Sequence, residues 1–473
     1  MPEAIIKIDE HKNFYIIQLF TACLSEMAYY IESDKEAIII DPMREIEPYY
    51  KLIQDRGSKL KYVFETHFHA DFVSGHIELN IKTGAQIIYG PGAKASYQIK
   101  SAKDEEIFQV GKIKIKVLHT PGHTLESSCY LLLDENDKQY CVFTGDTLFL
   151  GEVGRPDLAV KGEEITCENL AELLYDSLRN KIMKLEPKCI IYPGHGSGSA
   201  CGKKIQSGNS DTLENQLNTN YALNKDLKKE DFVKVLTTNI GQPPQYFFHS
   251  AEVNMKGYEQ IEKIISKSFI FFNINDFLKQ SNSNTTVILD TRNQQDFLNG
   301  FIPGSINIPL SVNFAVLVGT LFPPCISFLL VTDGKSEKQA IIRLARIGYD
   351  KIIGCLQGGF DSCKNSGVEI HSLKNIKALD AKNDAIFLDV RNKQEFEEGK
   401  IKGALNVPFN ELANQIQNKV FEFPKDKDVY VYCRSGTRSS IACSILRKLG
   451  FCNQINIEGG FNELKNNKNL EII

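Results

Sequence analysis

Short runs of β-branched and other apolar residues alternate with loops that contain glycine and histidine up to about residue 255. Runs such as 36–42 and 112–118 have the length and composition of strands. Similar runs lead directly into His67, Asp146 and His195, so we expect the ends of these strands to converge on one site. Between residues 167 and 185, apolar side chains recur at helical spacing, which predicts a helix that covers a sheet.

The remainder of the chain contains an internal repeat with a period of about 100 residues. The matching segments are 287–292 with 386–391, 302–309 with 401–408, and 358–360 with 459–461. Each copy alternates strands and helices, which predicts a small α/β domain with a mostly parallel sheet. We expect the boundary before the repeat between Gly257 and Ile274.

A length of 473 residues predicts about three domains, and a net charge of −4 argues against a broad basic surface for nucleic acid. No apolar run approaches the ~20 residues of a membrane span, and the start of the chain lacks the pattern of a signal peptide. We therefore expect a cytoplasmic protein with neither a nucleic-acid nor a membrane partner. The 12 cysteines lack close CxxC pairs, which favours reduced thiols over disulfides.

Imidazole and carboxylate groups recur at the ends of the strand-like runs in the first half. The segments are His67-Phe68-His69-Ala70-Asp71, Pro121-Gly122-His123, Thr144-Gly145-Asp146 and Pro193-Gly194-His195. One such histidine beside a glycine is ordinarily a turn residue. The ordered set of segments instead predicts a metal site that closes only in the folded chain.

These segments resemble those of the metallo-β-lactamase superfamily over roughly the first 250 residues. The resemblance implies an αββα sandwich with the metal where the loops of two sheets meet. In the two-zinc hydrolases of the superfamily the motif reads HxHxDH, but Phe72 stands here in place of the last histidine. The loss of this imidazole favours one metal over two, and leaves His195 and Asp71 to hydrogen-bond to water, substrate or ligands.

Among single-metal members, the chain resembles the persulfide dioxygenases. The resemblance implies one Fe(II), no organic cofactor, the ligands His67, His123 and Asp146, and a supporting role for His69. Two imidazoles and one carboxylate suit non-haem Fe(II) and leave positions for substrate and O2. The segment 154–157 also resembles that family, and its Arg155 and Asp157 either form a structural salt bridge or contact substrate.

Ligand type alone does not select iron over zinc, because zinc binds such sites more tightly. A zinc-dependent thioester hydrolase similar to glyoxalase II therefore stays open, although Phe72 conflicts with its paired-metal site. A sulfur carrier or sensor without turnover is the non-enzymatic alternative. Cys201 is expected on a flexible loop near the mouth of the metal site, where it either carries a persulfide or is a small apolar side chain.

Near the end of the chain, an apolar strand over 429–432 leads into a loop that begins at Cys433. Loop amides, a helix N-terminus and the charges of Arg434 and Arg438 would stabilise a thiolate or a persulfide. Together with the segments around it, this loop makes residues 373–473 resemble the rhodanese sulfurtransferases. A Cys-x5-Arg phosphatase is the alternative, but it has one residue more between its cysteine and arginine.

In the earlier copy, Asp333 occupies the place of Cys433. A carboxylate cannot form a persulfide, so we predict that this copy is an inactive spacer or docking surface. The predicted domains are 1–256 for the metal domain, 269–371 for the inactive rhodanese-like domain and 373–473 for the active one.

The order of these domains resembles that of fused persulfide dioxygenase-sulfurtransferases of sulfide detoxification. The resemblance implies oxidation of a thiol persulfide by O2 to sulfite and thiol. Cys433 would then transfer sulfane sulfur, producing or consuming thiosulfate. Glutathione, coenzyme A, bacillithiol and cysteine persulfides stay open as substrates. We also expect a homo-oligomer, with the inactive copy as a candidate contact surface.

Overall fold

The computed structural model describes residues 4–160, 164–283, 285–311, 313–364, 366–418 and 427–473. The chain forms two compact units, Met1–Lys263 with Leu344–Tyr349, and Ile264–Arg343 with Asp350–Ile473. The finer division into three domains stays a prediction. Within the described ranges, no helix has both the length and the apolar character needed to cross a lipid bilayer.

The strands before the repeat are β1 (Ala4–His11), β2 (Phe14–Thr21), β3 (Glu26–Ser33), β4 (Glu36–Ile40), β5 (Lys59–Phe64), β6 (Gln86–Tyr89), β7 (Lys100–Ser101), β8 (Ile107–Val110), β9 (Ile113–His119), β10 (Ser128–Leu133), β11 (Gln139–Gly145), β12 (Ile190–Pro193) and β13 (Asp211–Thr212). The helices are α1 (Glu47–Arg56), α2 (His76–Thr83), α3 (Cys167–Asn180), α4 (Leu213–Thr219), α5 (Lys229–Thr237), α6 (Tyr246–Lys256) and α7 (Ile261–Ser268). Helix α3 confirms the helix predicted from the apolar spacing.

Strands β1 to β7 form one sheet in chain order, and the second sheet has the order β13-β12-β11-β10-β9-β8. The two sheets pack face to face around a common apolar core, to which β10 contributes Tyr130 and Leu132. The alternate β10 residues, Cys129 and Leu131, pack instead with Leu174 of α3 on the outer face. Strand β10 is therefore buried on both faces, which explains its continuous apolar run.

The repeat contains the strands β14 (Phe271–Phe272), β15 (Thr286–Asp290), β16 (Ile306–Asn307), β17 (Ser327–Val331), β18 (Ile352–Leu356), β19 (Lys374–Lys377), β20 (Ile386–Asp389), β21 (Leu405–Asn406), β22 (Val429–Tyr432) and β23 (Gln454–Glu458). Its helices are α8 (Ile274–Gln280), α9 (Gln294–Asn299), α10 (Phe314–Leu321), α11 (Glu337–Ala345), α12 (Lys393–Glu397), α13 (Leu412–Gln417), α14 (Thr437–Lys448) and α15 (Gly460–Leu464). The two sheets have the orders β14-β18-β17-β15-β16 and β19-β23-β22-β20-β21, and their neighbouring strands are parallel. The matching strand orders show that each copy of the repeat forms its own parallel sheet and that the two sheets have the same topology.

A buried aspartate–arginine pair follows the equivalent strand in each copy. Arg292 Nη2 lies 2.6 Å from Asp290 Oδ2, and Arg391 Nη2 lies 2.6 Å from Asp389 Oδ2. Each arginine also donates to a backbone carbonyl at 2.7 Å. These pairs close the turn after the strand in both copies, which supports a structural role. The predicted fold class, a metallo-β-lactamase sandwich followed by two parallel α/β repeats, is confirmed.

Candidate metal centre and cysteine loop

The structure brings His67, His123 and Asp146 together at the loop ends of the two sheets. Their nearest ligand atoms lie within 4.8 Å of one another, and all three side chains are buried. Asp146 Oδ2 is 3.4 Å from His123 Nε2 and 4.0 Å from His67 Nε2. None of these three atoms has a hydrogen-bond partner among the described residues, although each is buried. Buried polar atoms ordinarily have a hydrogen-bond partner. Three neighbouring ligand atoms without one therefore fit a metal ion.

Hydrogen bonds fix both histidines in the tautomer that a metal needs. His123 Nδ1 lies 2.8 Å from the carbonyl oxygen of Arg155, which can only accept, so Nδ1 carries the proton. Thr66 Oγ1 donates to Asp41 Oδ2 at 2.8 Å and lies 3.0 Å from His67 Nδ1, from which it therefore accepts. Both Nε2 atoms are left with free lone pairs, as metal-ligating imidazoles require.

His195 lies between two carboxylates instead of joining the three ligands. Its Nδ1 donates to Asp146 Oδ1 at 2.8 Å, and its Nε2 donates to Asp71 Oδ2 at 2.7 Å. Burial lowers the pKa of His195, but the charges of Asp146 and Asp71 outweigh burial and raise this pKa well above its usual value. His195 thus engages Asp146 Oδ1, and the second oxygen, Oδ2, faces His67 and His123.

Cys201 lies beside His195 and Asp71. Its Sγ, a carboxylate oxygen of Asp71 and a nitrogen of His195 lie within 4.8 Å of one another. The Cys201 side chain is only 1% exposed, whereas the sequence predicts a flexible loop at the mouth of the site. Burial, followed by the charges of Asp71 and Asp146, raises the pKa of the Cys201 thiol well above its usual value.

The His69 ring lies beside that of His67, with a centroid distance of 4.2 Å, but its Nε2 faces two other carboxylates. Its Nε2 lies 3.0 Å from Asp41 Oδ1 and 3.3 Å from Glu65 Oε2. Burial lowers the pKa of His69, but Asp41 and Glu65 outweigh it and raise this pKa well above its usual value. His69 therefore acts on the site indirectly, because the same Asp41 carboxylate accepts from the Thr66 hydroxyl that orients His67. Phe72 is fully buried and stacks on the His69 ring with a centroid distance of 4.2 Å.

The loop that carries His67, which we call the ligand loop, is held by Asn254 of α6. Its Nδ2 donates to the carbonyls of His69 and Phe72, both at 2.8 Å, and its Oδ1 accepts from the Ser74 amide at 3.0 Å. Sequence reasoning missed Asn254, Asp41 and Glu65. Asp41 and Glu65 had a usable signal, since they directly follow β4 and β5.

Arg155 and Asp157 form a bidentate pair with distances of 2.6 and 2.8 Å. The backbone of Arg155 also joins two parts of the site. Its carbonyl accepts from His123 Nδ1, and its amide donates to the carbonyl of Cys201 at 3.0 Å. The pair thus supports the loop that orients His123.

The cysteine loop begins where β22 ends and turns into α14. Cys433 is 1% exposed, and the amide of Gly436 donates to its Sγ at 3.2 Å. Gly436 has a φ of 99°, a left-handed conformation that favours glycine. A backbone amide aimed at sulfur favours an anionic sulfur species at this position.

The two arginines of this loop differ in their surroundings. Arg438 forms a bidentate pair with Glu395 of α12, with distances of 2.7 and 2.8 Å, whereas Arg434 is exposed. The charge of Arg438 is therefore shared with a carboxylate that sequence reasoning did not identify. Arg434 is free to meet an anionic substrate at the surface of the loop.

In the equivalent loop of the first copy, the carboxylate of Asp333 accepts the hydrogen bonds of the loop amides. Asp333 Oδ1 accepts from the amides of Lys335 and Ser336, both at 3.0 Å, and from Ser336 Oγ at 2.7 Å. These amides are the groups that would otherwise receive an anion. The first copy nevertheless contacts the cysteine loop of the second copy, because Gln294 Nε2 donates to the carbonyl of Gly436 at 3.3 Å.

Comparison with known proteins agrees with this architecture. Residues 22–195 match the metallo-beta-lactamase superfamily, and residues 273–366 and 372–467 each match the rhodanese-like domain. A hydroxyacylglutathione hydrolase of Pelagibacter ubique is 33% identical over 181 residues, which cover 37% of this chain and 68% of that protein. A mitochondrial persulfide dioxygenase of Bos taurus is 30% identical over 227 residues, which cover 47% of this chain and 79% of that protein.

Among solved structures, a metallo-beta-lactamase from Staphylococcus aureus subsp. aureus COL superimposes with a TM-score of 0.65 and 30% sequence identity. The match covers 73% of this chain and 99% of that one. This chain therefore belongs to the metallo-beta-lactamase superfamily, and two rhodanese-like domains follow its metallo-beta-lactamase domain.

Proposed function

We propose that the first unit oxidises a thiol persulfide with O2 at a single Fe(II), and that Cys433 transfers sulfane sulfur. The net oxidation converts the persulfide, O2 and water into the thiol and sulfite, with release of two protons. The arrangement of His67, His123 and Asp146 carries the proposal, because their three unpartnered ligand atoms are buried and lie within 4.8 Å of one another. Bound Fe(II) would supply open positions for the persulfide sulfur and O2, together with the redox chemistry.

The surroundings of the three ligands favour one ion. A second ion beside Asp71 and Cys201 would have to displace a proton from His195, both of whose nitrogens already donate to carboxylates. Phe72 adds an apolar ring where the two-metal hydrolases place an imidazole. Thr66 and Arg155 keep the two ligand histidines in one tautomer, so the site is organised before substrate arrives.

The cysteine loop supports the second half of the proposal. The Cys433 sulfur attacks the outer sulfur of a persulfide or thiosulfate, forming a new S–S bond and releasing thiol or sulfite. Sulfite then attacks the outer sulfur of the Cys433 persulfide, which yields thiosulfate and restores the thiolate. The Gly436 amide, 3.2 Å from Sγ, donates to the anionic sulfur in this cycle.

The test is O2 consumption by the anaerobically purified full chain loaded with Fe(II) and supplied with a thiol persulfide. Zinc-loaded protein is the control. Iron-dependent uptake with sulfite or thiosulfate as product would support the proposal. Absence of uptake from iron-loaded protein with every thiol persulfide would refute it.

A zinc-dependent thioester hydrolase is the second candidate for the first unit. It is favoured by the 33% identity to the Pelagibacter ubique hydroxyacylglutathione hydrolase, which is similar to the identity with the persulfide dioxygenase. Thioester hydrolysis by the zinc form, without O2 uptake by the iron form, would select this candidate. Sulfur transfer would then be confined to Cys433.

A further inference from the structure

An open groove of about 180 Å³ lies in the first unit, and we call it the apolar groove. Its walls come from four segments: the ligand loop, the loop that follows His123, the loop that follows Arg155, and helix α6. Representative lining residues are Phe68, Thr124, Val160, Phe248 and Met255. Most of its surface is contributed by apolar side chains.

The apolar groove is built from the same segments that hold the candidate metal ligands. Phe68 lies between His67 and His69 in the sequence, and Thr124 directly follows His123. A molecule in the groove therefore contacts the loops that carry two of the three ligands. This continuity makes the groove a site for the part of a substrate that does not react.

The charge of the apolar groove restricts what it can hold. Among its described lining residues, Glu126 is the single charged one, and its Oε1 accepts from the Phe68 amide at 3.0 Å. No lysine or arginine of the described chain lines the groove. A carboxylate placed here would gain no cation from these lining residues, and it would also face Glu126.

Large apolar side chains at the groove are exposed to water. Val160 is 40% exposed, Phe248 is 56% exposed and Met255 is 39% exposed. Clustered exposed apolar side chains beside a site are typical of surfaces that bind a ligand. An uncharged, flexible chain would cover them and gain apolar contact.

We propose that the apolar groove binds the carrier arm of the persulfide, and that this arm is of the pantetheine type. Such an arm is a chain of methylene and amide groups without charge near the sulfur. The groove thereby discriminates against glutathione, which carries two carboxylates. This inference rests on the proposed function, because it names the class of thiol that the same site uses.

The chain contains no tryptophan, so an introduced tryptophan reports on its own surroundings. Its fluorescence therefore measures binding without turnover. In the iron-loaded full chain, Phe248→Trp places a single tryptophan at the groove, and Ile107→Trp places one on β8, outside the groove lining. Titration with pantetheine should change the emission of the Phe248→Trp protein saturably and leave that of the Ile107→Trp protein unchanged. Glutathione should bind at least about tenfold more weakly. Equal binding of the two thiols would overturn the proposal.

Turnover tests the same discrimination. For the wild-type protein, kcat/KM for pantetheine or coenzyme A persulfide should exceed that for glutathione persulfide by about tenfold or more. Ala251→Arg introduces a cation into the groove wall and should narrow this ratio, whereas Ile107→Arg should not. Equal kcat/KM ratios in the two arginine variants would contradict the conclusion that the groove selects substrates by their charge.

The outcomes separate this inference from the proposed function. If pantetheine binds at Phe248→Trp but no persulfide supports O2 uptake, the proposed oxidation fails and the groove assignment stands. If persulfides are oxidised but glutathione persulfide is used as well as pantetheine persulfide, the groove assignment fails and the oxidation stands.

Discussion

Replacement of Thr66 by valine should weaken metal binding while preserving the shape of the side chain. The Thr66 hydroxyl donates to Asp41 Oδ2 at 2.8 Å and accepts from His67 Nδ1 at 3.0 Å. Valine removes both hydrogen bonds and leaves the buried Nδ1 proton of His67 without an acceptor. The ring then loses the contact that selects the metal-binding tautomer.

The expected size follows from these two contacts. One buried hydrogen bond contributes about 1 kcal/mol, which corresponds to roughly fivefold in an equilibrium constant. Partners of metal-ligating histidines typically change affinity by about 10- to 100-fold. We therefore expect Thr66→Val to lower metal affinity by about tenfold. The loss of a donor to the buried Asp41 carboxylate should also lower the free energy of unfolding by about 1–3 kcal/mol.

Competition with a chelator under anaerobic conditions measures the affinity for Fe(II) or Co(II). Urea unfolding of the metal-free protein measures stability separately. Thr66→Ser retains the hydroxyl and is the matched control, so it should bind metal nearly as tightly as the wild-type protein. Wild-type affinity in a folded Thr66→Val protein would refute the conclusion that this hydroxyl orients His67.

The remaining predictions concern how the activities are divided. Asp146→Ala should abolish persulfide-dependent O2 uptake and leave thiosulfate sulfurtransferase activity, because the carboxylate is one of three candidate ligands. Cys433→Ser should do the reverse and shift the oxidation product from thiosulfate to sulfite; loss of both activities in either folded variant would contradict separate sites. Gln294→Ala should lower kcat for sulfur transfer severalfold, because the Gly436 carbonyl loses its donor from the first copy and keeps those of Ser439 and Ser440, and restoration by Gln294→Asn would indicate positioning. Gln295→Ala, which removes only a contact with a neighbour on the same helix, should leave kcat unchanged, and equal rates in the two alanine variants would exclude a role for the first copy.

The repeat and the order of the domains were readable from local patterns. The segments that match between copies are contiguous, and they contain the strand, the aspartate–arginine turn and the glycine turn that each small sheet needs. The convergence of His67, Asp146 and His195 was also predictable, because each directly follows a strand-like run and strand ends meet at one edge of the sandwich. The role of His123 as the third ligand came instead from the resemblance of its Pro-Gly-His segment.

The partners of these side chains were not predictable, because they are brought together by packing. Asn254 reaches the carbonyl of His69 across 185 positions of sequence, and His195 reaches Asp71 across 124. The motif places His69 beside His67, yet the fold turns its ring toward Asp41 and Glu65.

The sequence by itself thus determined which residue types carry the chemistry and along which strands they stand, since hydrophobic periodicity and motif spacing are local properties. The tertiary structure decided the tautomers of His67 and His123, the position of His195 between two carboxylates and the pairing of Arg438 with Glu395. It also decided the burial of Cys201 and the apolar groove. Protonation and burial depend on the groups that surround a side chain in space, and folding chooses those groups from distant parts of the chain.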